Sequence, residues 1–164
     1  MSEHENGHGK SNDWYTPPEI FDALGCRFDL DPASPGPHHW VPADRVFTEQ
    51  DDGLSQYWHG FVWMNPPFGG RNGVVPWLDR FFAHGNGIAL VAARTSCGWF
   101  HDWAPRADLL LFPRGKTQFV RPDGSRGMSP GTGVVLMASG ARAVSTLQRS
   151  GLGICCPIIQ GAAA

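Results

Sequence analysis

The chain has 164 residues, a length typical of one domain that buries most of its apolar surface on folding. Its net charge of −2 and its 41% hydrophobic content are those of an ordinary globular protein. No run of about 20 apolar residues is present, which excludes a membrane-spanning helix. No apolar signal segment follows Met1, so we expect a cytoplasmic protein. Four cysteines without a Cys-x-x-Cys motif favour reduced thiols over a disulfide framework or a zinc site.

Charge is distributed unevenly along the chain. Residues 1–70 carry 11 acidic and 3 basic side chains, whereas residues 105–164 carry 2 acidic and 7 basic ones. The net charges of these two segments are therefore −8 and +5. A basic carboxyl half is compatible with contact to phosphates, and an ordinary solvated surface would show the same distribution.

The first elements are predicted from polar composition and capping chemistry. Residues 1–13 are polar, and we predict a disordered tail followed by one domain over residues 14–160. Thr16 and Glu19 have the spacing of a capping box, and Pro17 would occupy the first helical position, so a helix should start here. Gly25 should end it. The amino terminus of such a helix could also bind an anion, for example a carboxylate.

A strand and a corner of small residues come next. Residues 27–31 alternate as in a half-buried strand, which Pro32 must end. The small residues Ala33 and Ser34 would let a ligand approach the backbone here. Asp31 could then receive an ammonium or hydroxyl group. No G-x-G-x-x-G motif is present, so dinucleotide binding has no support.

The most informative stretch is the apolar run at residues 61–64 followed by Asn65, Pro66, Pro67 and Phe68. The run predicts a buried strand, and the two prolines must end it because neither can donate to a sheet ladder. Carboxyl ends of strands are where α/β sheets bind ligands. There, the Asn65 side-chain carbonyl and the Pro66 backbone carbonyl could accept both hydrogens of an exocyclic amine and free its lone pair for methylation. Phe68 could stack on the base; a plain strand-ending turn is the alternative for these residues alone.

The rest of the chain alternates between helices and strands, which predicts an α/β sheet. Residues 35–44 should form a loop, and Asp51 and Asp52 should lie exposed in a turn. Predicted helices cover residues 74–83 and 141–149, and a short aromatic-rich helix includes Trp99, Phe100 and Trp103. Predicted strands cover residues 88–93, 108–112, 133–138 and 152–159, and a basic hairpin-like segment covers residues 113–127.

Three stretches in this order resemble the S-adenosylmethionine-dependent amino-methyltransferases of DNA, in particular the small phage and prophage Dam-like adenine-N6 methyltransferases. They are residues 15–19, 31–34 and 65–68, and the likeness extends over roughly residues 13–139. The resemblance implies a Rossmann-like methyltransferase sheet, S-adenosylmethionine as cofactor and double-stranded DNA as partner. It also implies no metal and action in the cytoplasm of a bacterial host. We expect a monomer.

The resemblance also implies which residues bind the cofactor. Tyr15, Thr16 and Pro17 match the first motif, in which the threonine contacts the methionine carboxylate. Residues 31–34 (Asp31, Pro32, Ala33 and Ser34) match the motif that lies against the methionine moiety. Asp52 is similar to the acid that binds the cofactor adenine amine.

On the substrate side, the resemblance makes Asn65, Pro66, Pro67 and Phe68 the catalytic tetrapeptide. Phe119 is similar to the aromatic residue that stacks on the far side of the flipped base. Arg114 and Lys116 belong to the basic segment that should face DNA.

Two features depart from the family pattern. Only 32 residues separate Pro32 from Asn65, so we expect a sheet that is abbreviated between the first strand and the strand leading to Asn65. No acid for the cofactor ribose is identifiable, and sequence recognition would fall to loops. Cytosine-N4 methylation, protein glutamine methylation and a non-catalytic DNA-binding role remain open alternatives.

Overall fold

The computed structural model describes residues 15–36, 39–67, 69–70, 72–127 and 132–159. Within them, the helices are α1 (Pro18–Leu24), α2 (Val75–His84), α3 (Gly98–Trp103) and α4 (Ala141–Arg149). The strands are β1 (Phe28–Asp31), β2 (Ala43–Val46), β3 (Val62–Met64), β4 (Gly87–Ala92), β5 (Leu109–Pro113), β6 (Val134–Ser139) and β7 (Gly153–Pro157). None of these helices has the length and apolarity that crossing a bilayer requires.

The strands form one seven-stranded sheet in the order β2-β1-β3-β4-β6-β5-β7. Strands β2, β1, β3 and β4 are parallel, with Leu30 opposite Val62 and Trp63 opposite Ile88. Strand β6 is antiparallel to both β4 and β5, so β5 points the same way as β4. The chain leaves β1 to form β2 on one side and then forms β3 on the other. This places a topological switch point, the usual ligand crevice of open α/β sheets, between the carboxyl ends of β1 and β3.

Helices cover both faces of the sheet. Trp63 packs in one apolar cluster with α1 and α4, whereas its neighbours Val62 and Met64 pack in the opposite cluster with α2 and α3. Because successive residues of a strand point to opposite faces, a strand that is buried on both sides must be apolar throughout. The predicted α/β sheet is confirmed, and its Rossmann-like layering follows from these buried runs.

The segment between β1 and β3 is short, as predicted. Its described residues form β2 and a 3₁₀ turn over Glu49–Asp51, with no α-helix between them. The predicted loop over residues 35–44 is wrong at its end because β2 begins at Ala43. The central residues of β2, Asp44 and Arg45, are exposed at the sheet edge and therefore give no hydrophobic signal for a strand.

The capping box predicted at Thr16 and Glu19 is wrong. Helix α1 begins at Pro18 with Pro17 at the N-cap, and no side chain caps it. Pro17 and Pro18 have no backbone N–H, so this terminus has fewer donors for an anion than an ordinary helix start. The predicted end of α1 is confirmed: Gly25 has φ 59, a left-handed conformation that glycine adopts without strain. The later predicted helices and strands are present, with bounds shifted by at most two residues.

Candidate active site

Asp31 ends β1 with a buried carboxyl group. It is 1% exposed, and its Oδ1 accepts the backbone N–H of Ala33 at 3.1 Å. Desolvation raises the pKa of Asp31 to about 7, and the hydrogen bond from Ala33 opposes this shift. The hydroxyl of Ser34 donates to the carbonyl of Gly36 at 3.2 Å, which closes the corner after Pro32. A buried carboxyl group that titrates near neutrality is suited to a cationic ligand, which would favour its charged form.

The loop that carries Asp52 packs directly on this corner. A Cβ atom placed on Gly53 would lie only 1.8 Å from the carbonyl oxygen of Pro32, so only glycine fits here. Trp58 Nε1 donates to the carbonyl of Gly53 at 2.7 Å. Asp52 has φ 51, the one positive φ of a non-glycine residue in the described part of the chain. Its exposed carboxylate is thus held beside the β1 corner in a sparsely populated backbone conformation, a feature concentrated at functional sites.

Asn65 follows β3 at the same edge of the sheet. Its Nδ2 donates to Thr16 Oγ1 at 3.0 Å. Its Oδ1 is buried and has no hydrogen-bond partner among the described residues. An unsatisfied buried polar group costs about 1–3 kcal/mol. An acceptor kept in this state is available to a donor that a ligand brings.

Thr16 connects this side chain to the segment before α1. The residue is 3% exposed, and its carbonyl accepts Trp40 Nε1 at 2.8 Å. The preceding residue, Tyr15, forms a two-bond antiparallel bridge with Val120, with N···O distances of 2.8 and 2.9 Å. Thr16 thus lies beside Asn65, at the edge of the sheet where Asp31 also ends its strand.

A pocket of about 400 Å³ opens on the β4 side of Asn65. Pro66, Pro67, Val91 and Trp99 give it an apolar lining, and Arg94 adds a cation. The Arg94 side chain is exposed, and its guanidinium has no hydrogen-bond or ion-pair partner among the described residues. This volume is within the range of small-ligand sites, and the lining combines apolar surface with a charged group.

The basic segment over residues 113–127 reaches the same edge. It starts at the carboxyl end of β5 and runs to Val120, which pairs with Tyr15. Arg114 and Lys116 are exposed and form no ion pair with any described residue. Arg126 instead pairs with Glu19 on α1, and this hydrogen bond holds the pKa of Glu19 below its ordinary value. The four cations of this segment are therefore not equivalent.

Phe119 is placed differently from its predicted role. It is 3% exposed and packs in the hydrophobic cluster that contains Phe21 and Trp63. With this burial, a base could stack on the Phe119 ring only if the local packing changed on binding, and the stacking role stays a prediction. Phe68, the other predicted stacking residue, lies outside the described residues.

Sequence reasoning missed three contacts that build the site. Trp40 anchors Thr16, Gly53 fits against Pro32, and Arg94 lines the pocket. The Asp-Asp-Gly turn and the position of Arg94 after a predicted strand were available signals for the last two. Nothing local in the sequence links Trp40 to Thr16. Among the described residues, no three His, Cys, Asp or Glu side chains are grouped closely enough to hold a metal ion.

The Rossmann-like sheet, with an acidic corner after β1 and Asn-Pro-Pro after β3, is the architecture of a methyltransferase. The chain matches the model of the DNA N-6-adenine-methyltransferase (Dam) family over residues 5–139 and belongs to this family. Searches of curated proteins and of solved structures gave no match. Family membership makes DNA the substrate and adenine N6 methylation the general activity, and it favours adenine over the cytosine and glutamine alternatives. Methyltransferases in general use S-adenosylmethionine.

Proposed function

We propose that this chain transfers a methyl group from S-adenosylmethionine to the N6 amine of an adenine that has been rotated out of double-stranded DNA. The observation that carries the proposal is the buried Asn65 Oδ1, which has no partner among the described residues. Asn65 follows β3 at the switch point, and the next two residues, Pro66 and Pro67, line the 400 Å³ pocket. An acceptor between a cofactor site and a base pocket is what amine methylation needs.

The residues of the crevice fit S-adenosylmethionine. Asp31 would face its ammonium group, and the exposed Asp52, held in place by Gly53 against Pro32, would accept from its adenine amine. Ala33 and Ser34 leave the approach to the backbone free of large side chains. When bound, the cofactor supplies a methyl group that its sulfonium has already activated.

Asn65 and Pro66 would prepare the substrate amine. The N6 lone pair is delocalised into the adenine ring, which makes the amine a poor nucleophile. If Asn65 Oδ1 and the Pro66 carbonyl each accept one N6 hydrogen, the nitrogen moves toward tetrahedral geometry and its lone pair is released. The nitrogen would then form a bond to the methyl carbon as the bond from that carbon to the sulfonium sulfur breaks. S-adenosylhomocysteine would be the leaving group, and the methylated nitrogen would lose one proton to water. These hydrogen bonds strengthen as the nitrogen becomes positive, so they act mainly in the transition state.

The pocket beyond Pro66 is the proposed place for the extruded adenine. Rotating a base out of the duplex costs a few kcal/mol. Apolar contact with Pro66, Pro67 and Trp99 would offset part of this cost, and Arg94 is available for a neighbouring phosphate. Stacking of the base on Phe68 stays a prediction. Phe119 is not among the residues that line this pocket.

Methyl transfer from radiolabelled S-adenosylmethionine tests the proposal directly. Defined duplexes would be incubated with the protein, digested to nucleosides and separated. We expect label in N6-methyldeoxyadenosine, and labelling slower by about 100-fold or more with Asn65→Ala at equal protein concentration. Label in N4-methyldeoxycytidine or in protein, or adenine methylation at the parent rate in Asn65→Ala, would contradict the proposal.

A further inference from the structure

We infer that Thr16 is a positioning residue, which holds the Asn65 carboxamide with its oxygen toward the substrate amine. This inference rests on the proposed function and adds a role at the same site. It assigns to Thr16 an effect on the rate of chemistry, in addition to any contact with the cofactor.

The geometry joins two motifs that lie far apart in sequence. Asn65 Nδ2 donates to Thr16 Oγ1 at 3.0 Å across a separation of 49 residues. The other end of the same carboxamide, Oδ1, is buried and has no partner among the described residues. One end of the amide is therefore occupied by the protein, and the other is left to a ligand.

Orientation matters because the two ends of a carboxamide have similar shapes and opposite hydrogen-bonding roles. Turned by half a rotation, Asn65 would direct Nδ2 at the substrate amine, and two donors would face each other. A hydroxyl oxygen can accept from Nδ2 while its own hydrogen bonds a second acceptor, such as a carboxylate of the bound cofactor. When its hydrogen is engaged in this way, the Thr16 hydroxyl can only accept from Asn65 Nδ2. This selects the Asn65 rotamer that directs Oδ1 at the substrate amine.

Thr16 is itself held on three sides. Its carbonyl accepts Trp40 Nε1 at 2.8 Å, and the preceding Tyr15 is paired with Val120 by two backbone bonds. The following Pro17 has φ −63 and belongs to the N-cap of α1. The backbone of Thr16 therefore has little freedom to move, which keeps its side chain within reach of the Asn65 carboxamide. Small misplacements of a catalytic group can cost about 100-fold in rate.

The first test separates chemistry from binding. At saturating S-adenosylmethionine, Thr16→Val should lower the single-turnover rate by about 30-fold, about 2 kcal/mol at 1.36 kcal/mol per decade. Thr16→Val also loses the hydroxyl's hydrogen bond to the cofactor carboxylate, so S-adenosylmethionine affinity should fall as well; saturating cofactor removes that contribution from the measured rate. Thr16→Ser, which keeps the hydroxyl, should recover most of the rate. A loss confined to cofactor affinity, or a serine variant as slow as valine, would overturn the inference. Thr16→Ala replaces the valine variant if the latter fails to fold.

The second test uses a symmetric group at position 65. In an Asn65→Asp background both side-chain oxygens accept, so no wrong rotamer exists to be excluded. The further loss on adding Thr16→Val should then fall to less than about threefold, whereas a general structural role would give the same loss in both backgrounds. Equal losses would overturn the inference.

The third test does not require activity. The Asn65 side-chain amide is observed by ¹⁵N NMR and assigned by its absence in Asn65→Asp. In Thr16→Val its proton shifts and solvent exchange should change, and Thr16→Ser should leave them near the parent values. Unchanged signals in Thr16→Val would overturn the positioning role. Changed signals in a protein that methylates no adenine would instead reject the proposed function and leave the Thr16–Asn65 contact standing.

Discussion

Strands β1 and β3 end side by side, but the polar side chains at their ends differ in their hydrogen bonding. Asp31 is buried at the end of β1 and accepts an N–H of its own corner. Asn65, after β3, has one end bonded to Thr16 and leaves Oδ1 without a described partner. In the proposed function, the corner after β1 binds the cofactor, whereas Asn65 Oδ1 receives its hydrogen bond from the substrate amine. Substitutions after β1 should then change cofactor affinity, and substitutions after β3 should change the rate of methyl transfer.

The largest expected effect is at Asn65. Asn65→Ala should lower the single-turnover methylation rate by about 100-fold or more, about 2.7 kcal/mol at 1.36 kcal/mol per decade. Asn65→Asp should keep part of the activity because a carboxylate oxygen can also accept from the amine. Rapid-quench measurements at saturating cofactor give the rate, and thermal unfolding checks that stability is unchanged. Normal turnover by Asn65→Ala would reduce the Asn-Pro-Pro corner to a strand-ending turn.

The β1 corner should respond in affinity. Asp31→Ala should weaken S-adenosylmethionine binding by at least about tenfold, equivalent to about 1.4 kcal/mol. The reason is the loss of the carboxylate that would face the cofactor ammonium group. Calorimetry on the folded variant measures the change, with Asp44→Ala as a matched control because Asp44 pairs with Arg27 on the surface. If Asp31→Ala binds S-adenosylmethionine as tightly as the parent protein does, Asp31 does not contact the cofactor ammonium group.

The pH dependence of stability and of cofactor binding tests the role of Asp31 separately from that of Asn65. Burial raises the pKa of Asp31 to about 7 from an ordinary value of 3.8, so the folded chain holds this proton longer than the unfolded chain. The stability that Asp31 contributes is therefore fully present below pH 3.8 and is lost as the pH rises through about 7. A cationic ligand reverses the shift, so S-adenosylmethionine should displace a proton near pH 6.

Calorimetry in two buffers of different ionisation enthalpy counts that proton. Asp31→Asn has no ionisable group at this position, so it should release no proton to the buffer, and its binding enthalpy should be the same in both buffers. Equal binding enthalpies in both buffers for the parent protein would mean that Asp31 is already ionised, or that it lies away from the ligand.

The smallest effects belong to the basic segment. Arg114→Ala with Lys116→Ala should weaken binding to all DNA sequences and reduce the salt slope by about 0.9 for each phosphate that the protein no longer neutralises. Arg126→Ala is the matched control because its guanidinium already pairs with Glu19. Binding isotherms at several salt concentrations distinguish them. A larger slope change for Arg126 than for the double variant would reverse this assignment.

The sequence predicted the buried parts of the fold and missed contacts between distant residues. Continuous apolar runs identify β4 and β6, because burial on both faces leaves a polar side chain only at Ser139, the last residue of β6. Strand β2 was missed, since an edge strand with exposed Asp44 and Arg45 carries no such pattern. The sequence also predicted that Asp31 and Asn65 lie at the same edge of the sheet, because prolines end both of their strands.

Side-chain partners were harder to predict than strands. Thr16 was assigned to a helix cap, because a local pattern cannot reveal a partner 49 residues away. Phe119 was expected beside a base, yet in the fold it fills the core. The single-domain assignment over residues 14–160, the disordered tail and the individual cofactor contacts stay predictions.

The bridge between Tyr15 and Val120 has a mechanical consequence. Two backbone hydrogen bonds fasten the strip that carries Arg114 and Lys116 to the residue immediately before Thr16. Any displacement of this segment would therefore reach the Asn65 carboxamide through one peptide unit and the hydrogen bond between Thr16 and Asn65.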